Sequence, residues 1–301
     1  MDAGAQEKEA VGMIRIRNLS VSYFGENVLH IDALDFHDAA ITTILGSNGA
    51  GKSTLLKAVD GILPCSGNIE LFDGGAEKVQ DADKAVCSDL PVQVSHMTPR
   101  QRARRIGLLP QNLSTPDMDV YTLVSHGRFS RLGFSKILGE KDRRAVENAL
   151  EAAELTALSS RQVGELSGGE RERAYLAMVI AQDPDYFLLD EPMGSLDIRH
   201  QVKLAEILRK LASQGKGIIM TSHDLPQSLS LSDFAVVLDG SRVAASGAPE
   251  TLVGSPVFRE VFGVSARKNE SEEAFYRYQL WKQRQSGSGN PCEGSGGTCR
   301  S

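Results

Sequence analysis

Nine consecutive residues in the first third of the chain have the residue types and spacing of a phosphate-binding loop. They are Gly46, Ser47, Asn48, Gly49, Ala50, Gly51, Lys52, Ser53 and Thr54. They match the pattern G-x-x-x-x-G-K-[ST] at every fixed position. The glycines let successive backbone N–H groups turn toward the α- and β-phosphates of a nucleotide, and the helix expected to follow adds its positive N-terminus. We expect Lys52 to reach the β- and γ-phosphates, Ser53 to place its hydroxyl on Mg²⁺ and Thr54 to help hold the α-phosphate. The alternative is a glycine-rich turn that binds nothing, and a chance match of this kind has a frequency of about one in a hundred.

Two acids end an apolar run further along the chain. Residues 186–189 are Tyr-Phe-Leu-Leu, and Asp190 and Glu191 follow directly. The first carboxylate could lie beside Mg²⁺, and the second could orient or deprotonate an attacking water. Acidic strand ends are common, so these residues alone leave open a buried strand that simply ends in a polar turn.

A second turn with anion-binding character consists of Ser167, Gly168 and Gly169, and we call it the Ser-Gly-Gly turn. It precedes a run with helical spacing, so its backbone N–H groups would face an anion at a helix N-terminus. One active centre does not need two phosphate cradles so far apart in the chain. We therefore expect this turn to complete the site of a partner subunit, in a dimer whose expected form is a homodimer.

In this order, from about residue 13 to residue 264, these motifs resemble the ATP-binding cassette (ABC) ATPases. The resemblance implies roles for residues that carry little signal alone. Tyr23 matches the aromatic residue that stacks on adenine, and Gln111 matches the glutamine that senses the γ-phosphate and Mg²⁺. Residues 195–197, which include Asp197, resemble the loop that communicates across the dimer, and His223 resembles the switch histidine at the γ-phosphate. Without the resemblance, a tyrosine or histidine beside a strand is more often a packing residue.

The resemblance also implies ATP hydrolysis and a division of roles at the site. The implied Mg²⁺ ligands are Ser53, Gln111 and Asp190. The implied catalytic residues are Glu191, which would position the water, together with His223 and Gln111. ATP would hold two half-sites together, and hydrolysis would release them. A regulator that binds nucleotide without hydrolysing it is disfavoured, because the residues for the chemistry are all present.

Two further stretches resemble the importer ATPases for iron chelates, haem and cobalamin. Residues 122–128 match their T-x-x-x-L-x-x-x-G-R stretch loosely, and residues 196–201 match their L-D-I-x-H-Q closely. The resemblance implies separate transmembrane permease subunits, with a periplasmic or surface substrate-binding protein acting indirectly. The pattern is broken at Phe129-Ser130, at Pro226-Gln227 and by an insertion at 74–98. These departures leave open another transported substrate, or a soluble single-cassette ATPase such as an iron–sulfur cluster assembly factor.

Composition bears on location and partners. The chain has 301 residues and a net charge of −6, so nothing global points to nucleic acid. A basic cluster is expected to be a solvated helix face or a partner-facing patch, and it consists of Arg100, Arg102, Arg104 and Arg105. No run approaches a membrane span, and the first residues lack the features of a signal peptide, so we expect a peripheral protein on the cytoplasmic side of the cell membrane. The cysteines, at 65, 87, 292 and 299, lack zinc-site spacing and are expected to be reduced.

Hydrophobic periodicity indicates the elements that must position these residues. Residues 13–23 alternate as a half-buried strand does, and short apolar runs separated by helical segments follow. We predict an α/β phosphate-loop core of mostly parallel sheet, an antiparallel β subdomain and an inserted helical subdomain at about 112–170, in which Asp142 caps a helix. The domain should span 13–264, between an N-terminal tail at 1–12 and a C-terminal extension at 265–301. Its 74–98 insertion should be a surface loop, and the Gly/Ser-rich end from about 285 should be flexible.

Overall fold

The computed structural model describes residues 12–72, 91–133, 137–194, 196–268 and 276–280. Most of the predicted N-terminal tail, most of the 74–98 insertion and the Gly/Ser-rich end lie outside the described residues. So do Ser195, Cys87, Cys292 and Cys299, whereas Cys65 is a free and exposed thiol.

The strands of the described chain are β1 (Met13–Tyr23), β2 (Glu26–His37), β3 (Ile41–Gly46), β4 (Ser66–Phe72), β5 (Val92–Gln93), β6 (Ile106–Leu109), β7 (Tyr186–Leu189), β8 (Gly217–Thr221), β9 (Phe234–Asp239), β10 (Arg242–Gly247), β11 (Val264–Lys268) and β12 (Tyr276–Leu280). The α-helices are α1 (Lys52–Val59), α2 (Pro99–Arg105), α3 (Val120–His126), α4 (Glu140–Ala152), α5 (Gly168–Gln182), α6 (Ile198–Ser213), α7 (Leu225–Leu231), α8 (Pro249–Val253) and α9 (Val257–Phe262). Short 3₁₀ helices cover Val94–His96, Thr156–Leu158 and Val163–Glu165. No helix in this part of the chain combines the length and the apolar character that crossing a bilayer requires.

The larger sheet has the strand order β10-β9-β3-β8-β7-β6. Its strands from β9 to β6 run parallel, and β10 pairs antiparallel with β9. Every residue of β3, β7 and β8 is buried, as expected for parallel strands covered on both faces. Because parallel strands end at the same edge of a sheet, the segments that follow β3, β6, β7 and β8 meet at one edge.

The smaller sheet has the order β2-β1-β4-β5 and is antiparallel throughout. The alternation predicted for β1 is confirmed, since Ile14 and Ile16 are buried between partly exposed neighbours. Both side chains share one hydrophobic core with Ile44 of β3 and with Leu55 and Leu56 of α1. The helix that begins at Lys52 is therefore packed into the core that joins the two sheets.

The predicted helical insertion corresponds to α3, α4 and the beginning of α5. Val124 of α3, Val146 and Leu150 of α4 and Ala174 of α5 belong to one buried cluster. This cluster also contains Leu189 of β7, so the helical part packs continuously onto the larger sheet. The predicted fold class, with its parallel core, antiparallel sheet and inserted helices, is confirmed.

The predicted N-cap of α4 is wrong by three residues. The helix begins at Glu140 with Gly139 as N-cap, and Asp142 is the third helical residue. The Asp142 Oδ2 accepts a hydrogen bond from Gly139 N–H at 3.2 Å, and its Oδ1 accepts from Arg128 Nε at 3.0 Å. An acid at either position serves the unpaired N–H groups of the first turn, so the pattern alone does not separate the two.

The end of the stretch predicted as a surface loop folds onto the smaller sheet. β5 pairs with β4, and the 3₁₀ turn that follows buries Val94 completely. Thr98 then caps α2, and its hydroxyl accepts the Gln101 N–H at 3.2 Å. The polar composition concealed this packing, because only Val94 is completely buried there and Met97 packs against the same core while partly exposed.

Arginines of α2, which were expected to form a solvated helix face or a partner-facing patch, bind main-chain oxygens of the same chain. Arg100 Nε and Arg104 Nε both donate to the carbonyl oxygen of Ser130, at 3.0 and 2.9 Å. The next residue after Ser130 is Arg131, whose Nε donates to the carbonyl oxygen of Gln182 at 3.1 Å. Guanidinium groups therefore join the segment after α3 to α2 and to the end of α5.

Candidate active site

The phosphate loop, residues 46–54, connects β3 to α1. A Cβ added to Gly46 would lie 2.8 Å from the carbonyl oxygen of Leu238 on β9, which is closer than a side chain tolerates. Gly51 has a φ of 90°, in the left-handed region that glycine adopts without strain. The two glycines of the motif are therefore required by the neighbouring strand and by the turn that starts the helix.

Lys52 is almost completely buried at the start of α1. Its Nζ donates to the carbonyl oxygens of Gly46, at 2.8 Å, and Ser47, at 3.1 Å. Burial lowers the pKa of this ammonium group, while the negative charges of Glu191 and Asp190 act in the opposite direction. The loop is thus held in a curve around its own lysine, with two acids close enough to act on it electrostatically.

The hydroxyl of Ser53 and the carboxylate of Asp190 meet although the two residues are 137 positions apart. Ser53 Oγ donates to Asp190 Oδ1 at 3.0 Å, and Asp190 is 5% exposed. These are oxygen ligands side by side at the start of a phosphate-binding helix, and Mg²⁺ prefers such ligands together with phosphate and water. The predicted metal ligands Ser53 and Asp190 therefore fit the ion chemically.

Glu191 forms the centre of a second polar group. Its Oε2 accepts a hydrogen bond from Gln111 Nε2 at 2.8 Å and lies 3.6 Å from His223 Nδ1. These three residues, which sequence analysis predicted as catalytic, come from the segments after β6, β7 and β8. They line one cleft of about 490 Å³ together with Gly168 of the Ser-Gly-Gly turn.

Sequence reasoning assigned no role to Thr221, which touches both acids. Its Oγ1 lies 2.7 Å from Asp190 Oδ1 and 2.9 Å from the Glu191 backbone nitrogen. The available signal was weak: a polar residue ends the apolar run of β8, two positions before His223. Only the strand order, which makes β7 and β8 neighbours, brings this residue to the acids.

The Ser-Gly-Gly turn is an N-terminal cap for α5. Ser167 Oγ accepts the Glu170 N–H at 3.3 Å, and Glu170 Oε2 accepts the Ser167 N–H at 2.8 Å. The hydrogen bond from this backbone N–H is the main cause that lowers the pKa of Glu170. Ser167 and Gly168 are exposed, so the N-terminus of a 15-residue helix is presented at the surface.

Two predicted site residues lie apart from these groups. Tyr23 ends β1 and is 40% exposed, and Asp197 caps α6 by accepting the His200 N–H at 3.0 Å. Within the described residues, neither side chain is hydrogen-bonded to the phosphate loop. The other predicted nucleotide-binding residues of the loop lie close to Lys52 in the chain. Asn48, Gly49 and Ala50 form the turn before α1, and Thr54 lies in the first turn of that helix.

Comparison with known proteins identifies the architecture. The sequence profile of the family described as ABC transporter matches residues 29–194, more than half of the chain. The chain belongs to the ABC transporter family. As predicted, it is the ATP-binding, ATP-hydrolysing subunit of an ABC system, and the resemblance drawn from the motifs is confirmed.

Curated relatives of this ABC protein cover most of its length. It is 34% identical to the ferric enterobactin transport ATP-binding protein FepC of Escherichia coli (strain K12), over 85% of this chain and 89% of that protein. It is 36% identical to the petrobactin import ATP-binding protein FpuD of Bacillus anthracis, over 83% and 86%. It is also 34% identical to the hemin import ATP-binding protein HmuV of Rhizobium meliloti (strain 1021), over 85% and 93%.

Solved structures share the fold of this ABC protein. A metal-chelate type ABC transporter in an inward-facing conformation matches with a TM-score of 0.71 and 25% identity, over 89% of this chain and 97% of that one. A bacterial Atm1-family ABC exporter with ATP bound matches with a TM-score of 0.65 and 23% identity, over 81% of this chain and 40% of that one, which supports the fold alone.

Proposed function

We propose that this chain powers the uptake of an iron chelate or haem through separate transmembrane permease subunits, from the cytoplasmic face of the membrane. The relatives named for ferric enterobactin, petrobactin and hemin support the substrate class. The observation that carries the hydrolytic part is the convergence of Gln111, Glu191 and His223 on one cleft. A protein that only bound nucleotide would not need these three groups together.

In this proposal the phosphate loop binds ATP through its backbone N–H groups, and Lys52 exchanges its bonds to Gly46 and Ser47 for the β- and γ-phosphates. Tyr23 stacks on the adenine. Ser53, Asp190 and Gln111 would hold Mg²⁺, which supplies positive charge to the phosphate oxygens. Holding ATP in a fixed geometry is the largest part of phosphoryl-transfer catalysis, because the transition state needs position and charge compensation.

Glu191 is proposed to orient the attacking water and accept its proton. Its carboxylate accepts a hydrogen bond from Gln111 at 2.8 Å and lies 3.6 Å from His223, so either neighbour can turn to the water or the γ-phosphate. His223 is 63% exposed at its side chain, which leaves it free to turn toward a bound nucleotide. Hydrolysis then proceeds by alignment of water, base and phosphate.

We further propose that two copies of the chain form the working unit, each supplying its Ser-Gly-Gly turn and its Asp197 to the other's ATP. The exposure of Ser167 and Gly168 at the N-terminus of α5 supports this assignment, since the helix end can still accept an anion. A substrate-binding protein outside the membrane would act on the permease and never on this chain.

The test is co-purification followed by transport. We expect the tagged full-length chain to purify from detergent extract with a polytopic membrane protein. When this complex is reconstituted in vesicles, we expect it to transport ferric siderophore or haem only if ATP is present on the side of the membrane that carries the ATPase. The Glu191→Gln complex is the matched control. A stable complex without any membrane protein would overturn the transport proposal in favour of a soluble role such as iron–sulfur cluster assembly.

A further inference from the structure

Thr221 is the last residue of β8, and its side chain is completely buried. Its hydroxyl contacts Asp190 Oδ1 at 2.7 Å and Glu191 N at 2.9 Å. The direction of both bonds is fixed, because a backbone N–H can only donate and a carboxylate can only accept. The hydroxyl therefore accepts from Glu191 and donates to Asp190. One side chain on a neighbouring strand thus holds both acids at once.

The backbone of Glu191 shows why such a contact is needed. Glu191 has a φ of 53°, in the left-handed region that a residue with a side chain adopts only when its surroundings hold it there. The preceding N–H, of Asp190, still donates to the carbonyl oxygen of Leu109 on β6 at 2.9 Å. The next N–H, of Glu191, binds the Thr221 side chain instead of a strand carbonyl. The chain leaves the sheet between these two anchor points and carries the Glu191 carboxylate toward Gln111.

The other bond of Thr221 orients the carboxylate of Asp190. The same Oδ1 also accepts from Ser53 Oγ at 3.0 Å. Two hydroxyls from different elements therefore meet at one carboxylate oxygen and fix its plane. Because Thr221 is completely buried and donates its single O–H to Asp190, it acts through the acids and not on the nucleotide.

We propose that Thr221 is a positioning residue for ATP hydrolysis, which holds the Glu191 backbone in its left-handed conformation and fixes the carboxylate of Asp190. The proposal rests on the roles proposed for Asp190 and Glu191 above. Loss of the hydroxyl leaves the Glu191 N–H without its acceptor and lets this residue take other backbone conformations. Lys52 and the loop backbone are held by β3 and α1, so nucleotide affinity should not change.

The test compares Thr221→Val, which keeps the shape but removes the hydroxyl, with Thr221→Ser, which keeps the hydroxyl. Thr43→Val is the matched control, because Thr43 is also completely buried in the same sheet and its hydroxyl is hydrogen-bonded to Ser232, away from the acids. In the full-length protein we expect Thr221→Val to lower kcat at least about tenfold, with KM and the Kd for ATP within about threefold. Thr221→Ser should restore kcat to within about threefold of the wild type, and Thr43→Val should stay within about twofold.

Amide hydrogen exchange gives a readout that does not depend on turnover. The peptide that contains Glu191 should exchange at least about tenfold faster in Thr221→Val than in the wild type, and Thr43→Val should leave it unchanged. If Thr221→Val does not fold, Thr221→Cys replaces it. A thiol is a weaker donor and acceptor, so its kcat should be at least about threefold below that of Thr221→Ser.

Two outcomes would overturn the proposal: a Thr221→Val kcat equal to that of Thr43→Val, or a Thr221→Ser variant as slow as Thr221→Val. If Thr221→Cys is used in place of Thr221→Val, equal kcat values for Thr221→Cys and Thr221→Ser would also overturn the proposal. Glu191→Gln is assayed in parallel. If Glu191→Gln hydrolyses ATP normally, the proposed catalytic role of Glu191 is wrong, whereas its inactivity together with a fully active Thr221→Val rejects only the role of Thr221.

Discussion

In the proposed site, the phosphate loop with its acids and the Ser-Gly-Gly turn would each present a helix N-terminus to an anion, but the two regions are built in opposite ways. At the acids, Ser53 bonds to a carboxylate 137 residues away, and Thr221 on a neighbouring strand bonds to the same carboxylate. At the turn, Ser167 and Glu170 satisfy each other within four residues at the surface. The first region exists only when the sheet is assembled, whereas the second needs only its own helix.

In the proposed dimer, this difference separates the region that one chain holds by itself from the region that serves a second chain. The acids and the loop are held by buried contacts within one chain, so their geometry should persist in a monomer. The turn is held by its own capping residues, and its Gly168 borders the cleft that Gln111, Glu191 and His223 line. We therefore expect the turn to keep its structure in a monomer and to contribute to ATP hydrolysis only across the proposed dimer.

The largest expected effect comes from the buried region. Glu191→Gln should lower ATP turnover at least about 100-fold while ATP binding stays within about threefold, because the amide keeps the size and loses the proton acceptor. Steady-state hydrolysis and equilibrium binding of labelled ATP measure the two quantities. The variant should also remain dimeric in the presence of ATP, as seen by size-exclusion chromatography. Normal turnover would remove Glu191 from the mechanism.

Mixing two inactive variants tests whether the two regions belong to one composite site. Lys52→Ala removes the phosphate contact, and Ser167→Arg fills the helix end with a large cation, so each homodimer should lose about 90% or more of its ATPase activity. In the mixed dimer one site carries both changes and the other carries neither. We expect an equal mixture to recover roughly a quarter of the wild-type rate, since about half of randomly formed dimers are mixed and each holds one intact site.

Recovery of activity in that mixture requires that the subunits exchange between dimers. Mixing wild-type chains that carry different tags, and testing whether they co-purify, checks this exchange. With exchange established, activity no higher than that of the separate variants would mean that each chain completes its own site. The comparison between the two regions would then lose its functional meaning.

A smaller effect is expected at the far end of the phosphate-loop helix. Asp60 follows α1, and burial raises its pKa from 3.8 to about 6, while the charge of Arg102 acts in the opposite direction. A carboxyl group with a raised pKa favours the folded state while it is protonated, so this contribution is lost as the pH rises from about 4 through 6. Asp60→Asn should therefore increase the free energy of unfolding at pH 7.5 by about 1 to 2 kcal/mol, and by only about a third of that at pH 4.5.

Urea unfolding at the two pH values measures this difference, and Glu147→Gln, at an exposed acid on α4, is a suitable control. An equal effect of Asp60→Asn at both pH values would show that the side chain acts by packing and not by ionisation.

The smallest effect is expected at the Ser-Gly-Gly turn, where removing the charge of Glu170 should decrease the free energy of unfolding instead of increasing it. The pKa of Glu170 is lowered mainly by the backbone N–H of Ser167, so its stabilising contribution is present above the unfolded value near 4.5 and is lost as the pH falls. Glu170→Gln keeps the capping geometry and loses only the charge, which should cost a few tenths of a kcal/mol at pH 7 after solvent screening. The cost should shrink progressively as the pH falls below 4.5 in the same unfolding assay, whereas a constant cost would indicate lost packing.

The sequence was sufficient to predict features that depend on consecutive residues. The loop from Gly46 to Thr54 and the start of a helix at the Ser-Gly-Gly turn are local, so residue type and order determine them. The partnership of Ser53 with Asp190 required knowledge that β3 and β7 end at the same edge. The family resemblance supplied this knowledge, whereas the spacing of residues in the chain did not.

Thr221 and Asp142 show the limits of sequence reasoning in different ways. Thr221 became visible only through the pairing of β7 with β8, because its partners are about 30 residues away and nothing in its own segment marks them. Asp142 was placed correctly in a first turn but at the wrong position, because acids at the cap and at the third residue satisfy the same N–H groups.

The carbonyl bonds of Arg100, Arg104 and Arg131 bear on how the helical subdomain responds to salt. Their acceptors, the oxygens of Ser130 and Gln182, carry no net charge, and Arg131 also forms an ion pair with Asp183. Ionic strength screens attraction between exposed opposite charges far more than it weakens a hydrogen bond to a main-chain oxygen. The carbonyl bonds should therefore persist at salt concentrations that weaken the Arg131–Asp183 ion pair, so this attachment of the subdomain should be largely insensitive to salt.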